Sequence, residues 1–329
     1  MALRLPDKWV WDFWLARDGM DYHAFYLQAP RSLGNPELRH LNASVGHATS
    51  KNLRHWRVLP DALSAGPPGA WDDRAVWTGC VVRAPRRWHM FYTGVSIEGD
   101  VVVQREGSAT SEDLIRWRKH PRNPLIEADP RFYEQQNEGA VGRERVWRDP
   151  WVFWDPQTEQ YHALITARTI DGPTDGRGVI GHACSSDLVR WETLPPLNES
   201  GHFYALEVPQ LVALGGRYYL LFSTWADAHS AVRQKETRQE PVGGTHYFIA
   251  DDPLGPFRFS THEFLMGDPF SSFYSGKLIE GPDGRTKLLA WRNFAPEGTF
   301  VGELADPFPV AVDPEGNLSV GRPKARHMR

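Results

Sequence analysis

The sequence predicts an all-β fold, a five-bladed β-propeller with four-stranded antiparallel blades. Three observations carry that expectation: an internal repeat, an aromatic-rich run ahead of each copy, and no sustained helical periodicity anywhere in the chain. Gly46 to Trp56 reads GHATSKNLRHW, Gly107 to Trp117 reads GSATSEDLIRW, and Gly181 to Trp191 reads GHACSSDLVRW. All share G-x-A-x-S-x-x-L-x-x-W. A weaker fourth copy, Thr245 to Phe257, keeps the strand, the turn and a terminal aromatic.

Each element of the unit has a physical reason. Small residues in G-x-A-x-S let a strand pack close to a neighbour, and the Ser and Asx residues that follow are turn formers that bond their own backbone. Ahead of the copies lie Tyr22 to Leu27, Trp88 to Thr93, Tyr161 to Ala167 and Tyr218 to Thr224, runs of high β-propensity preceded by turn residues. A fifth unit, Phe273 to Trp291, opens with a hairpin around Pro282, Asp283 and Gly284 but shows no second half, so either the N-terminal strands or the tail from Phe308 must complete it. The copies are spaced further apart than the roughly 40 to 50 residues of the commoner propeller repeats, which leaves room for long loops. Residues 131–146 and 229–244 are such polar insertions, rimming a pocket or making solvated excursions. Radial closure is how sheets of this kind protect their edges, and the repeat argues against a β-sandwich. A single domain over residues 1–329 is expected.

Composition bounds the partners. The 37 Lys and Arg balance 41 Asp and Glu with no long run of either sign, which argues against nucleic acid or an anionic membrane. Met1 to Val10 contains no apolar stretch long enough for a secretory signal, and no segment approaches the roughly 20 apolar residues of a membrane span. Cys80 and Cys184 lie in no metal-ligand spacing and read as buried free thiols, so the expected compartment is the cytoplasm. His47 and His182 occupy one repeat position where the second copy has Ser108, which marks repeat grammar and not a metal site. No cofactor or metal is called for. The 14 Trp and 10 Tyr fill an all-β core for the most part, with a few rings left to stack on a sugar.

Stacking the units shows what stands on the innermost strand, just before each hairpin. These segments are Trp11-Asp12-Phe13, Trp77-Thr78-Gly79, Arg148-Asp149-Pro150, Glu207-Val208-Pro209 and Tyr274-Ser275-Gly276. Units one, three and four each place an acid there, and equivalent positions on different blades converge on the axis. Carboxylates among Trp, Phe and Val are costly unless paired or functional. Glycoside hydrolysis needs two carboxyl groups about the scissile bond, one protonated and one ionised, with environments that push their pKa values apart. Glu207, flanked by Leu206, Val208 and Pro209, reads as the desolvated acid and Asp12 as the nucleophile; Asp149 with Arg148 suits gripping sugar hydroxyls. Trp11, Trp77 and Tyr274 are the candidate ring contacts. A non-catalytic sugar-binding propeller is the reading from a different class, and loss of any of the three acids would have favoured it.

These residues resemble the clan of five-bladed propeller hydrolases that contains invertases, fructanases and levansucrases, families 32 and 68. Val10-Trp11-Asp12-Phe13-Trp14 is similar to the levansucrase V-W-D-S-W, and Tyr22-His23-Ala24-Phe25-Tyr26 followed by Gln28 resembles the invertase Y-H-L-F-Y-Q. Gly46-His47-Ala48-Thr49-Ser50 with Leu53 to Trp56 is similar to W-G-H-A-x-S-x-D-L-x-H-W, and Trp77-Thr78-Gly79 stands in place of W-S-G. Arg148-Asp149-Pro150 matches R-D-P, and Glu207-Val208-Pro209 resembles E-C-P. The chain departs from the pattern in lacking Asn-Pro-Asn-Gly at the nucleophile, in Thr78 and Val208, and in showing no C-terminal β-sandwich. The resemblance implies a retaining β-fructofuranosidase acting on sucrose or fructan, with or without fructosyl transfer. Asp12 would be its nucleophile, Asp149 the transition-state stabiliser and Glu207 the acid/base; Gln28, Thr78 and Arg148 join the rings as substrate-binding candidates. Family 43, whose arabinofuranosidases and β-xylosidases invert configuration with a similar acid trio, is the nearest alternative.

Overall fold

In the computed structural model the described residues are 3–139, 141–237, 240–262 and 264–321. They form five sheets, one per blade. Blade one comprises Lys8–Asp18, Asp21–Pro30, Ser44–Ser50 and Arg57–Leu63. Blade two has Ala75–Arg83, Trp88–Glu98 and Val101–Ser111, edged by Arg118–Lys119. Blade three has Trp147–Asp155, Gln160–Arg168, Gly178–Ser185 and Glu192–Leu194, and blade four Glu207–Leu214, Arg217–Thr224, Gly243–Ala250 and Arg258–Phe259. Blade five pairs Phe273–Glu280 with Thr286–Phe294, then adds Phe308–Val312 and Leu318–Val320. The tail from Phe308 therefore completes it. At the seam, Leu3 and Leu304 exchange backbone hydrogen bonds, joining the segment ahead of blade one to blade five.

The expected blade is embellished in places. Gly142–Arg145 runs parallel to Val101–Ser111 and pairs with Asn137–Gly139, so insertion 131–146 extends blade two. The second insertion, 229–244, contains one short helix, Ala231–Glu236. No helix among the described residues is long and apolar enough to cross a membrane.

The repeat's outer half is a corner built the same way three times. Ser50, Ser111 and Ser185 accept the N–H of Asn52, Asp113 and Asp187 through Oγ. Each of those Asx side chains in turn accepts two backbone N–H groups, at 2.7–3.0 Å. The intervening Leu53, Leu114 and Leu188 stand at φ 59°, 62° and 64°, left-handed backbone that strains a non-glycine residue by about 1–2 kcal/mol. Their side chains are buried, which offsets the strain. The closing Trp then locks neighbouring blades: Trp117 meets Phe25 edge-on at 5.6 Å, and Trp191 meets Phe91 at 5.4 Å.

Both cysteines are free thiols, as expected, but only one of them is buried. Cys80 is buried, its Sγ accepting from Val152 N at 3.2 Å, whereas Cys184 is only partly covered because its strand is followed by a short edge strand. His47 and His182 each face a second histidine, His23 and His162, at 2.9 Å, a pairing repeated in blades one and three.

Candidate active site

Every innermost strand is interrupted by a β-bulge at the same height. Register slips between Trp11 and Phe13, Val76 and Gly79, Arg148 and Trp151, Glu207 and Gln210, and Tyr274 and Lys277. Four of the bulges carry a non-glycine residue at positive φ: Asp12 at 22°, Asp149 at 61°, Val208 at 49° and Ser275 at 50°. Such residues cost about 1–3 kcal/mol each and persist only where the surroundings over-determine them. Pairing with the second strand corrects one expectation. Val208, not Glu207, is the equivalent of Asp12 and Asp149; Glu207 stands one residue earlier, with Trp11 and Arg148. A bulge re-aims both of its residues, which is how acids from two different positions reach one cavity.

The over-determination comes from the neighbouring blade. Thr93 of blade two accepts Asp149 N at 2.9 Å, Thr166 of blade three accepts Val208 N at 3.2 Å, and Ser223 of blade four accepts Ser275 N at 3.0 Å. These three hydroxyls sit at one second-strand position. Trp291 holds the same place in blade five and donates Nε1 to Asp12 Oδ1 at 3.0 Å. Each acid-bearing bulge is thus held by the blade before it in the ring.

The bulges face a pocket of about 350 Å³. Asp12, Asp149 and Glu207 all line it, with Trp11, Trp77, Thr78, Arg148 and Tyr274. Gln28 does not. It is buried on the far face of its strand, donating to Ser44 Oγ at 3.3 Å, while its neighbour Leu27 reaches the pocket; the alternation of a β-strand separates them.

Asp12 Oδ1 accepts from the Ser275 hydroxyl as well as Trp291, and Thr78 Oγ1 lies 3.5 Å from Oδ2. Burial, and next the charge of Asp149, push its pKa up from 3.8 to about 6, against the lowering pull of the Ser275 bond. Asp149 is the most buried of the trio. Its Oδ2 accepts from Thr166 Oγ1 at 2.9 Å and Val208 N at 3.2 Å, and burial raises its pKa against the opposing charge of Arg148.

Glu207 is not the desolvated member it was expected to be. Its side chain stays 17% exposed, with Arg148 Nη2 donating to Oε1 at 2.6 Å and the Tyr274 hydroxyl donating to Oε2 at 2.5 Å. Arg148 therefore serves Glu207 more closely than Asp149, whose Oδ2 is 3.6 Å from its Nε. Consecutive residues of one bulge, Tyr274 and Ser275, hold Glu207 and Asp12 respectively. Behind the bulge, buried Lys277 donates Nζ to Val208 O at 2.5 Å and Pro209 O at 3.2 Å. Burial lowers its pKa to about 8, opposed by the charges of Asp149 and Asp12.

Sequence reasoning missed part of the wall. Glu37, Arg39 and His40 come from the 3₁₀ turn Pro36–Asn42, Glu144 from the strand added to blade two, and Trp225 and Asp227 from the short 3₁₀ turn, Ala226–Ala228 capped by Trp225, that follows blade four's second strand. Only Trp291 had a signal, being the fifth residue in the second-strand series Leu27, Thr93, Thr166 and Ser223. Trp225 stacks on Tyr274 at 4.5 Å, and Trp77 Nε1 donates to His40 O at 2.6 Å. These rings give the pocket flat apolar faces beside its acids.

Known proteins share this fold. The family model for the glycosyl hydrolases family 32 N-terminal domain matches residues 15–299, a stretch that begins just after Asp12. A sucrose-6-phosphate hydrolase of Zymomonas mobilis is 26% identical over 285 residues, covering 82% of this chain and 50% of that protein. The chain spans about half the length of that curated relative. Among solved structures, the inulosucrase from Halalkalicoccus jeotgali bound to kestose superposes with a TM-score of 0.77 at 23% identity, over 96% of this chain and 87% of that one. A family 32 β-fructofuranosidase from Bombyx mori gives 0.72 at 22% identity, over 98% and 64% respectively. These structural likenesses show the five-bladed fold, and the match across most of the sequence shows the family: the chain belongs to glycosyl hydrolase family 32.

Proposed function

We propose that the chain is a retaining β-fructofuranosidase, its five blades acting as one catalytic domain. The observation that carries the reading is the shared cavity: Asp12 and Glu207 are held by consecutive residues of one bulge, with Asp149 fixed beside them. Asp12, whose pKa of about 6 leaves it ionised at neutral pH, attacks the anomeric carbon of the fructosyl unit. The bond to the leaving oxygen breaks as Glu207 gives that oxygen its proton, and a fructosyl ester on Asp12 results. Water then attacks the same carbon, Glu207 takes its proton, and Asp12 leaves as the carboxylate. A sugar hydroxyl in place of water gives transfer. Asp149 accepts hydroxyl groups of the fructosyl ring, while Arg148 and Tyr274 hold Glu207 in place.

The substrate class, a small carbohydrate of sucrose or fructan type, is supported by the family and by the aromatic walls of the pocket. A cytoplasmic placement is supported by two unpaired thiols. Incubation with sucrose and with levan should release fructose, and NMR of the first-formed anomer should show retained configuration. An inverted product, or an Asp12→Asn variant with undiminished activity, would overturn the assignment.

A further inference from the structure

We propose that the pocket takes an uncharged sugar and rejects its phosphorylated counterpart, and that Glu37 sets this choice. The inference rests on the reading that this cavity holds the substrate.

Among the described residues lining the pocket, six are acids, Asp12, Glu37, Glu144, Asp149, Glu207 and Asp227, against two guanidiniums, Arg39 and Arg148. Both cations are already engaged. Arg148 Nη2 is on Glu207 at 2.6 Å, its Nη1 donates to Gln104 Oε1 at 3.1 Å, and Glu144 is 3.6 Å away. Arg39 donates Nη1 to Pro36 O at 2.9 Å and to Glu37 Oε1 at 3.0 Å. Its guanidinium lies over Phe300 at 4.2 Å and near Trp11 at 5.7 Å, so it cannot swing toward a phosphate without abandoning both rings.

The other basic groups nearby are of no use to a dianion. His40 lines the pocket, but burial and then the charges of Arg39 and Arg148 lower its pKa to about 3, leaving a neutral ring. Lys277 is buried behind the bulge on two carbonyl oxygens. Among the described residues, a phosphate entering here meets a net negative wall whose two guanidiniums each already hold a carboxylate. A neutral sugar meets acceptors for its hydroxyls and flat rings for its faces.

Glu37 is the pivotal acid because its side chain is 62% exposed and its polar contacts run to the Arg39 guanidinium at 3.0 Å and the neutral His40 ring at 3.8 Å. In Glu37→Gln the wall loses one negative charge and Arg39 loses its carboxylate partner.

The test compares sucrose with sucrose 6-phosphate, by equilibrium binding and by kcat/KM, for the full chain and for Glu37→Gln. The unmodified chain should favour sucrose by at least about tenfold, with the gap shrinking as salt screens the wall. Glu37→Gln should narrow it severalfold. Equal or tighter binding of the phosphorylated sugar would overturn the inference while leaving hydrolysis standing. An unchanged ratio in Glu37→Gln would remove that residue from it. Selective binding of sucrose without cleavage would sustain this inference and sink the proposed activity instead.

Discussion

The outer corners and the inner bulges of the blades solve opposite problems. At the corners the side chains repeat with the backbone: Ser, Asx, Leu at positive φ and Trp recur in blades one, two and three with nearly the same hydrogen bonds. At the bulges the backbone repeats while the side chains diverge, Asp12, Asp149, Val208 and Ser275 sharing one position. A corner does the same task in each blade, so one sequence serves. Each bulge instead supplies a different part of the wall of one pocket, and its strain is tolerated because a neighbouring blade pins it.

That contrast can be broken by substitution, starting where the effect is greatest. Glu207→Gln should lower kcat by about 10²–10⁴-fold, the range for a lost general acid/base, with Asp12→Asn at least as severe; neither should unfold the protein. Near-normal turnover in both would mean that the bulges carry no chemistry.

Stability should move the other way at Asp12. Its folded pKa of about 6 lies above the ordinary 3.8, so the folded state binds the proton more tightly and is penalised above pH 6. Asp12→Asn should therefore stabilise the protein at pH 8, by up to about 3 kcal/mol, and the gain should fade as pH drops toward 4. Thermal melts across that window check the sign. The same ionisation predicts that turnover falls below about pH 6.

Thr93→Val strips a partner from Asp149 N and from the buried Glu106 carboxyl, which should destabilise by about 1–3 kcal/mol and reduce kcat through a residue that touches no substrate. Asp113→Ala, at an outer corner, should cost only about 1 kcal/mol and leave kcat alone. Loss of activity at Asp113, or none at Thr93, would erase the distinction between the two regions.

The fold was legible because the corner keeps its residues from blade to blade. Trp117 and Trp191 mark unit boundaries by the rings they cover, and Pro282-Asp283-Gly284 announced the last hairpin. The acid trio was legible because carboxylates among large apolar residues stand out, although Glu207 is displaced by one residue, which pattern matching glossed over. Gln28 was misplaced by the same period-two alternation that sends Leu27 to the pocket. Glu37, Arg39 and His40 were invisible because a 3₁₀ turn within a long connection has no periodicity to reveal its inward face. The desolvation assigned to Glu207 from its neighbours fell on Asp149 and Asp12, because three-dimensional surroundings set burial where adjacent residues do not.

The hydroxyl pins have a consequence for anyone recombining this scaffold. Since Thr93 steadies Asp149 and Thr166 steadies Val208 beside Glu207, the heritable unit of function straddles two sheets. Crossovers placed between blades would transplant an acid without its brace. Cutting instead within a sheet, between first and second strands, keeps each brace with the acid it serves, so chimaeras built on that frame should retain activity where blade-for-blade swaps lose it.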